Sequence, residues 1–179
     1  LRQFTSNSQQ GKWIEIQQRR MLNLASNDYL GLASDLRLRE QFFDETPNAH
    51  RLMSSSSSRL LTGNFPEYEQ LEASLSQAFA GRTALLFNSG YHMNIGILPA
   101  VSDAKTLILA DKLVHASMID GIRLSSAKYV RYRHNDLQHL SQLLQKYHDD
   151  EAFERIIVVT ESIFSMDGDE TDLAELARI

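Results

Sequence analysis

The sequence predicts an α/β fold with a mainly parallel sheet, preceded by an N-terminal arm and a small antiparallel element. Three observations predict it. From about residue 83 short apolar runs alternate with amphipathic stretches, the pattern of strand–helix–strand units with right-handed crossovers. The runs ALLF (84–87), TLILA (106–110) and RIIVVT (155–160) are almost continuously apolar, as expected of strands covered on both faces, and KYVRY (128–132) falls among them. Finally, 179 residues with 42% hydrophobic and 23% charged side chains suffice for one sizeable core.

Taken in order, LRQF (1–4) reads as an arm, and WIEIQ (13–17) with RMLNLAS (20–26) as the antiparallel element. Ser54 to Ser58 has the composition of a flexible linker, but its apolar flanks RLM and RLLTGN argue for a folded segment. A helix is expected over 66–81. Pro66 sits at its start, Tyr68, Leu71, Leu75 and Phe79 form a buried stripe, and Gly81 stops it. Further helices are expected near 90–101, 115–122 and 135–148. The last carries Leu137, Leu140, Leu144 and Tyr147 on one face, with Asn135 as N-cap and Gln138 three residues on. DLAELARI (172–179) has helical character up to the final residue.

Charge and composition exclude several functions. Lys plus Arg number 18 against 23 Asp plus Glu, a net charge of −5, so the chain lacks the basic field with which nucleic-acid binders gather phosphates. No apolar run approaches the roughly 20 residues that span a bilayer, and LRQFTSNSQQ has no signal-peptide core; a cytoplasmic location is expected, with no membrane partner. Cysteine is absent, which removes disulfides and thiolate chemistry. The six histidines show no metal-ligand spacing, so no metal is expected.

The glycines form neither a dinucleotide fingerprint nor a P-loop. Asn88-Ser89-Gly90-Tyr91 instead lies between the run ALLF and a helix. Small residues there let backbone N–H groups at a helix N-terminus approach a phosphate, although the same residues suit a plain strand-to-helix turn. His115 follows TLILA, at the carboxyl edge where α/β sheets place ligands. Its imidazole can stack on a flat ring or transfer a proton, or simply cap a helix. His134 holds the corresponding position after KYVRY, where a cap is the commoner role. Glu161, Ser165 and the turn Asp167-Gly168-Asp169 follow RIIVVT; Ser165 can donate to an anionic or phenolate oxygen, and the absence of G-x-S-x-G makes it a poor hydrolase nucleophile. Polar groups from three strand ends thus converge on one rim.

SNDYLGL (26–32), SRLLTGN (58–64), LFNSGYHMN (86–94), ADKLVHASMIDG (110–121), RHNDLQHL (133–140) and VVTESIFSMDGD (158–169) together resemble the motifs of the α-oxoamine synthases. That resemblance implies the large-domain sheet of a fold-type I pyridoxal-phosphate transferase, helices on both faces, with residues 1–45 as arm and part of a small domain and 46–179 as the N-terminal portion of the cofactor-binding domain. It implies pyridoxal 5'-phosphate (PLP) as cofactor, with Gly90 and Tyr91 supplying backbone groups to its phosphate, His115 stacking on its ring and Ser165 bonding its phenolic oxygen. Arg2, Asn27 and His134 would lie toward the substrate, and Glu161 near the site. An amino acid and an acyl-CoA or acyl-ACP would be the substrates and a homodimer the assembly.

HND with TES-x-FSMDGD is most similar to the branch that condenses L-alanine with pimeloyl-CoA or pimeloyl-ACP in biotin biosynthesis. Glycine-using siblings of the aminoketobutyrate ligase and aminolevulinate synthase type, or a non-catalytic α/β binding module, are the alternatives. The family's Schiff-base lysine lies downstream of the residues matched. None of Lys12, Lys105, Lys112, Lys128 and Lys146 fits its motif, so the chain reads as an N-terminal half, inactive by itself. The serine run stands where the family has glycines, which implies a backbone that avoids glycine-favouring conformations.

Overall fold

The computed structural model describes residues 6–10, 12–47 and 54–179. The chain divides into two compact units, Leu1–Glu69 and Gln70–Ile179.

In the first unit β1 (Ser6–Gln10), β2 (Trp13–Ile16) and β3 (Arg19–Leu22) form an antiparallel meander in which Trp13 pairs with both Gln10 and Leu22. The β2–β3 turn holds Gln17 and Gln18 at φ 51° and 63°, both left-handed, which matches the right-handed strand twist although neither residue is glycine or asparagine. Helix α1 (Leu36–Glu45) follows, capped by Asp35, whose carboxylate accepts from the amides of Arg37 and Leu38.

The serine run is a tight turn, not a linker. Ser54 Oγ accepts from the amide of Ser56, Ser55 Oγ donates to the carbonyl of Ser57, and the amide of Gly63 donates to the carbonyl of Ser58 at 2.9 Å. A Cβ on Gly63 would stand 2.0 Å from the Ser57 oxygen, so only glycine admits this closure. Ser56 adopts φ 50°, so the expectation that the serines avoid glycine-favouring backbone is corrected: Asx-like hydrogen bonds hold one of them there.

Helix α2 (Pro66–Ala78) begins at Pro66 as expected and ends where Ala80 and Gly81 turn left-handed, at φ 56° and 77°. Its expected buried stripe is corrected, since no residue of α2 is buried and Leu71 and Phe79 are 50% and 65% exposed. The strand expected at 84–87 is also corrected. That segment has no neighbouring strand among the described residues, and the amide of Leu86 bonds the Glu72 carboxylate instead.

The rest of the second unit is α3 (Gly90–Val101), β4 (Thr106–Asp111), α4 (Ala116–Leu124), β5 (Lys128–Tyr132), α5 (Leu137–Tyr147), β6 (Arg155–Val159) and the short α6 (Leu173–Leu176). The sheet is parallel in the order β5-β4-β6, and β4, buried along its length, is the centre. One face packs Ile108, Ala110 and Val159 against Leu98 of α3 and Ile122 of α4. The other packs Leu107, Leu109 and Tyr132 against Leu140 of α5, with Leu176 of α6 beside them. The layers are therefore α/β/α. The cap of α5 is Asp136, not Asn135: its carboxylate accepts from the His139 amide, while Asn135 sits at φ 50° outside the helix. Among the described residues no helix is long and apolar enough to cross a membrane.

Candidate functional site

Adjacent strands β4 and β6 send their chains to opposite faces of the sheet, to α4 on one side and α6 on the other. Such divergence opens a crevice at the carboxyl ends. A cavity of about 220 Å³ lies there, lined by Leu113, Val114, His115, Ala116 and, across it, Glu161 and Phe164 to Asp167.

His115 is the N-cap of α4. Its Nδ1 accepts from the Ser117 amide at 3.2 Å and lies 2.7 Å from Ser117 Oγ. Ser117 Oγ in turn accepts from Asn94 Nδ2 at 2.9 Å, so its own proton points to the ring. With Nδ1 an acceptor, the neutral ring carries its proton on Nε2. The backbone N–H of His115 donates to Glu161 Oε1 at 2.6 Å, which fixes the two rims at this point.

Ser165 stands in a short hairpin. Ile163 bridges Glu170, the Phe164 amide donates to the Asp169 carbonyl, and the Gly168 amide donates back to Phe164, with Gly168 at φ 76°. Phe164, 3% exposed, roots the hairpin in the core and leaves Ser165 outward on the cavity wall. Among the described residues the Ser165 hydroxyl has no hydrogen-bond partner.

Gly90 and Tyr91 do not line the cavity. They begin α3, where Ser89 Oγ caps the His92 amide and the N–H groups of Gly90 and Tyr91 have no partner among the described residues. A Cβ on Gly90 would meet nothing within 4 Å. This helix end is nonetheless held beside α4 by the Tyr91 hydroxyl, which donates to Asp120 Oδ2 at 2.9 Å, and by Asn94 on Ser117. Asp120 holds the Tyr91 phenol above its ordinary pKa of 10.0 by hydrogen bond and by charge. Close approach is possible because Gly121 faces the Asn94 carbonyl, where a Cβ would stand at 2.4 Å.

His134 lies behind the rim. Its Nδ1 bonds Asp111 Oδ1 at 2.8 Å, its Nε2 bonds Asp169 Oδ2, and its ring meets Phe164 edge to face at 4.5 Å. Asn27 is exposed in the first unit, between Ser26 and Asp28, which line a depression of about 480 Å³ with Lys12 and Tyr29. Arg2 lies outside the described residues. Sequence reasoning missed Asp111, Ser117 and Asn94. An acidic residue closing an otherwise apolar strand was a visible signal for Asp111 alone.

The class I and II aminotransferase model matches residues 19–179. An 8-amino-7-oxononanoate synthase from Haemophilus ducreyi is 60% identical over 174 residues, 95% of this chain and 44% of that protein. The chain thus spans about half the length of the curated relatives it matches. A solved 8-amino-7-oxononanoate synthase from Francisella tularensis is 31% identical with a TM-score of 0.64, over 86% of this chain and 41% of that one. Serine palmitoyltransferase from S. paucimobilis, solved with a PLP–myriocin aldimine, superposes with a TM-score of 0.84 at 25% identity, over 96% of this chain and 42% of that one. The parallel sheet, the crevice at its carboxyl edge and the match from residue 19 onward agree, and the chain belongs to the class I and II aminotransferase family.

Proposed function

We propose that this chain forms the ring-stacking and phosphate-holding part of a pyridoxal-phosphate-dependent acyltransferase that condenses L-alanine with pimeloyl-CoA or pimeloyl-ACP, with decarboxylation, to 8-amino-7-oxononanoate in biotin biosynthesis. The observation that carries this reading is the cavity itself. His115 lines one wall with a fixed tautomer, and Ser165 offers a free hydroxyl on the other. The similarity to 8-amino-7-oxononanoate synthases over nearly the whole chain supports the choice of substrates.

The residues fit the cofactor. Unpartnered amides at Gly90 and Tyr91, on a helix whose dipole favours anions, suit its phosphate. The His115 ring suits stacking, and Ser165 suits its phenolic oxygen. When bound, the cofactor supplies an electron sink for a carbanion. This chain's residues do the rest: Ser117 and Asn94 hold the His115 ring, Glu161 pins its backbone, and Nε2–H stands ready to hold or move a proton. Arg2 and Asn27 are proposed to face the substrate. The full enzyme is proposed to be a cytoplasmic homodimer.

A substrate panel tests the activity. In a protein of the relatives' full length carrying this sequence, alanine with a pimeloyl thioester should turn over fastest; preference for glycine with an acetyl or succinyl thioester overturns the assignment. The 179-residue chain alone should show no turnover. Binding is tested separately by Gly90→Ala. With open space at its Cβ, this variant should leave stability within about 0.5 kcal/mol yet weaken PLP binding measured by equilibrium dialysis. Unchanged binding would remove Gly90 from the phosphate site.

A further inference from the structure

The group behind the cavity is built from three segments that the chain keeps far apart. Asp111, fully buried at the carboxyl end of β4, accepts three hydrogen bonds: from the Leu113 amide (2.7 Å) and His134 Nδ1 (2.8 Å) on Oδ1, and from the Asn135 amide (2.8 Å) on Oδ2. The first of these shapes the turn that leads to His115. On its other side His134 reaches Asp169, which also accepts from Asn135 Nδ2 at 2.8 Å, and Asn135 Oδ1 accepts from Thr171. Asp169 closes the Ser165 hairpin through its carbonyl.

Both ring nitrogens of His134 face carboxylate oxygens, which only accept when ionised, so both must carry protons and the ring is an imidazolium. We propose that His134 is a positioning residue: as a cation bridging Asp111 and Asp169, it tightens the Ser165 hairpin against the His115 turn beyond what the Asn135 and Glu161 bonds achieve, and the hairpin loosens when His134 loses its proton. The tightening concerns the walls of the cavity, whatever occupies it.

The charged groups facing the ring are Asp111 from β4 and Asp169 from the hairpin; Phe164 contributes only its ring edge, and the neighbouring Arg133 is paired outward with Asp136. The hydrogen bond to Asp111, then that to Asp169, raises the His134 pKa above its ordinary 6.5, against the opposing effect of burial. A raised value means the bridge contributes fully below pH 6.5 and is lost as pH climbs through the folded-state value.

The test is a pH series on the full chain. Ring nitrogen resonances of His134 report its charge, and amide exchange at Phe164, Gly168 and Thr171, corrected for the intrinsic rate, reports the hairpin. His134 should stay cationic above the range of an ordinary histidine. Hairpin protection should then fall at least tenfold as it deprotonates, while amides of β4 stay protected. His134→Gln should show the weak hairpin at every pH, with β4 again intact. Protection that ignores the His134 titration, or a His134 that deprotonates like a free imidazole, overturns the proposal. The wild-type series decides by itself if the variant does not fold. None of these readouts depends on PLP, so failure here leaves the proposed activity untouched, and the reverse.

Discussion

Ser117 shows how one small side chain can set the state of a larger one. It is 1% exposed, and its hydroxyl accepts from Asn94 and donates to His115 Nδ1. Ser117→Ala would leave Asn94 Nδ2 without its acceptor and His115 Nδ1 with only the backbone amide of residue 117 as donor, a weaker hold on the same tautomer. Asn94 is half-buried, so leaving its donor unpaired should cost toward the lower end of the range of about 1–3 kcal/mol for a buried one, and the urea midpoint should fall accordingly, with an unchanged slope. A midpoint equal to wild type would mean water replaces the hydroxyl. None of this was legible in HAS, because the bond depends on a residue 23 positions earlier. His134 escaped for the same reason. Its neighbours in sequence suggest a cap, whereas its partners lie 23 and 35 positions away on other segments.

Among the elements, legibility followed burial. Strands 106–111 and 155–159 announced themselves because β4 has neighbours on both sides and helices on both faces, so nearly every position had to be apolar or fully bonded. ALLF reads the same way yet forms no ladder among the described residues and leaves Leu85 and Phe87 exposed, since apolar character names neither the neighbour that makes a strand nor the layer that covers it. The α3–α4 contact depended instead on one glycine. Gly121→Ala would set a Cβ against backbone, the Asn94 carbonyl, which cannot rotate aside. The helices must then part, at about 1–3 kcal/mol. The expected result is a lower melting temperature, together with faster exchange at α3 amides near Tyr91 as the bonds to Asp120 and Ser117 lengthen. The same substitution at Gly90, one helix end away, meets open space and should leave the melting temperature alone. If both variants melt alike, close helix approach is not what holds the amides of Gly90 and Tyr91 in place.

At the scale of the whole molecule, the surface carries more apolar area than the core arithmetic foresaw. Helix α3 is apolar on nearly every side but buries only Leu98, leaving Tyr91, Met93, Ile97 and Val101 between 37% and 47% exposed. The preceding segment adds Leu85 at 67% and Phe87 at 37%. A helix apolar all round belongs in an interior, and a contiguous exposed patch of this kind drives association in water. Net charge of −5 over 179 residues opposes that association only weakly at physiological salt, where charges screen within about 8 Å. The chain by itself should therefore bind an apolar dye and sediment with a weight-average mass that rises with concentration. Replacing Ile97 and Val101 by Glu, at positions already open to solvent, should reduce both effects without lowering the melting temperature. A monomer at all concentrations that ignores the dye would show that the patch is covered by the chain itself in solution.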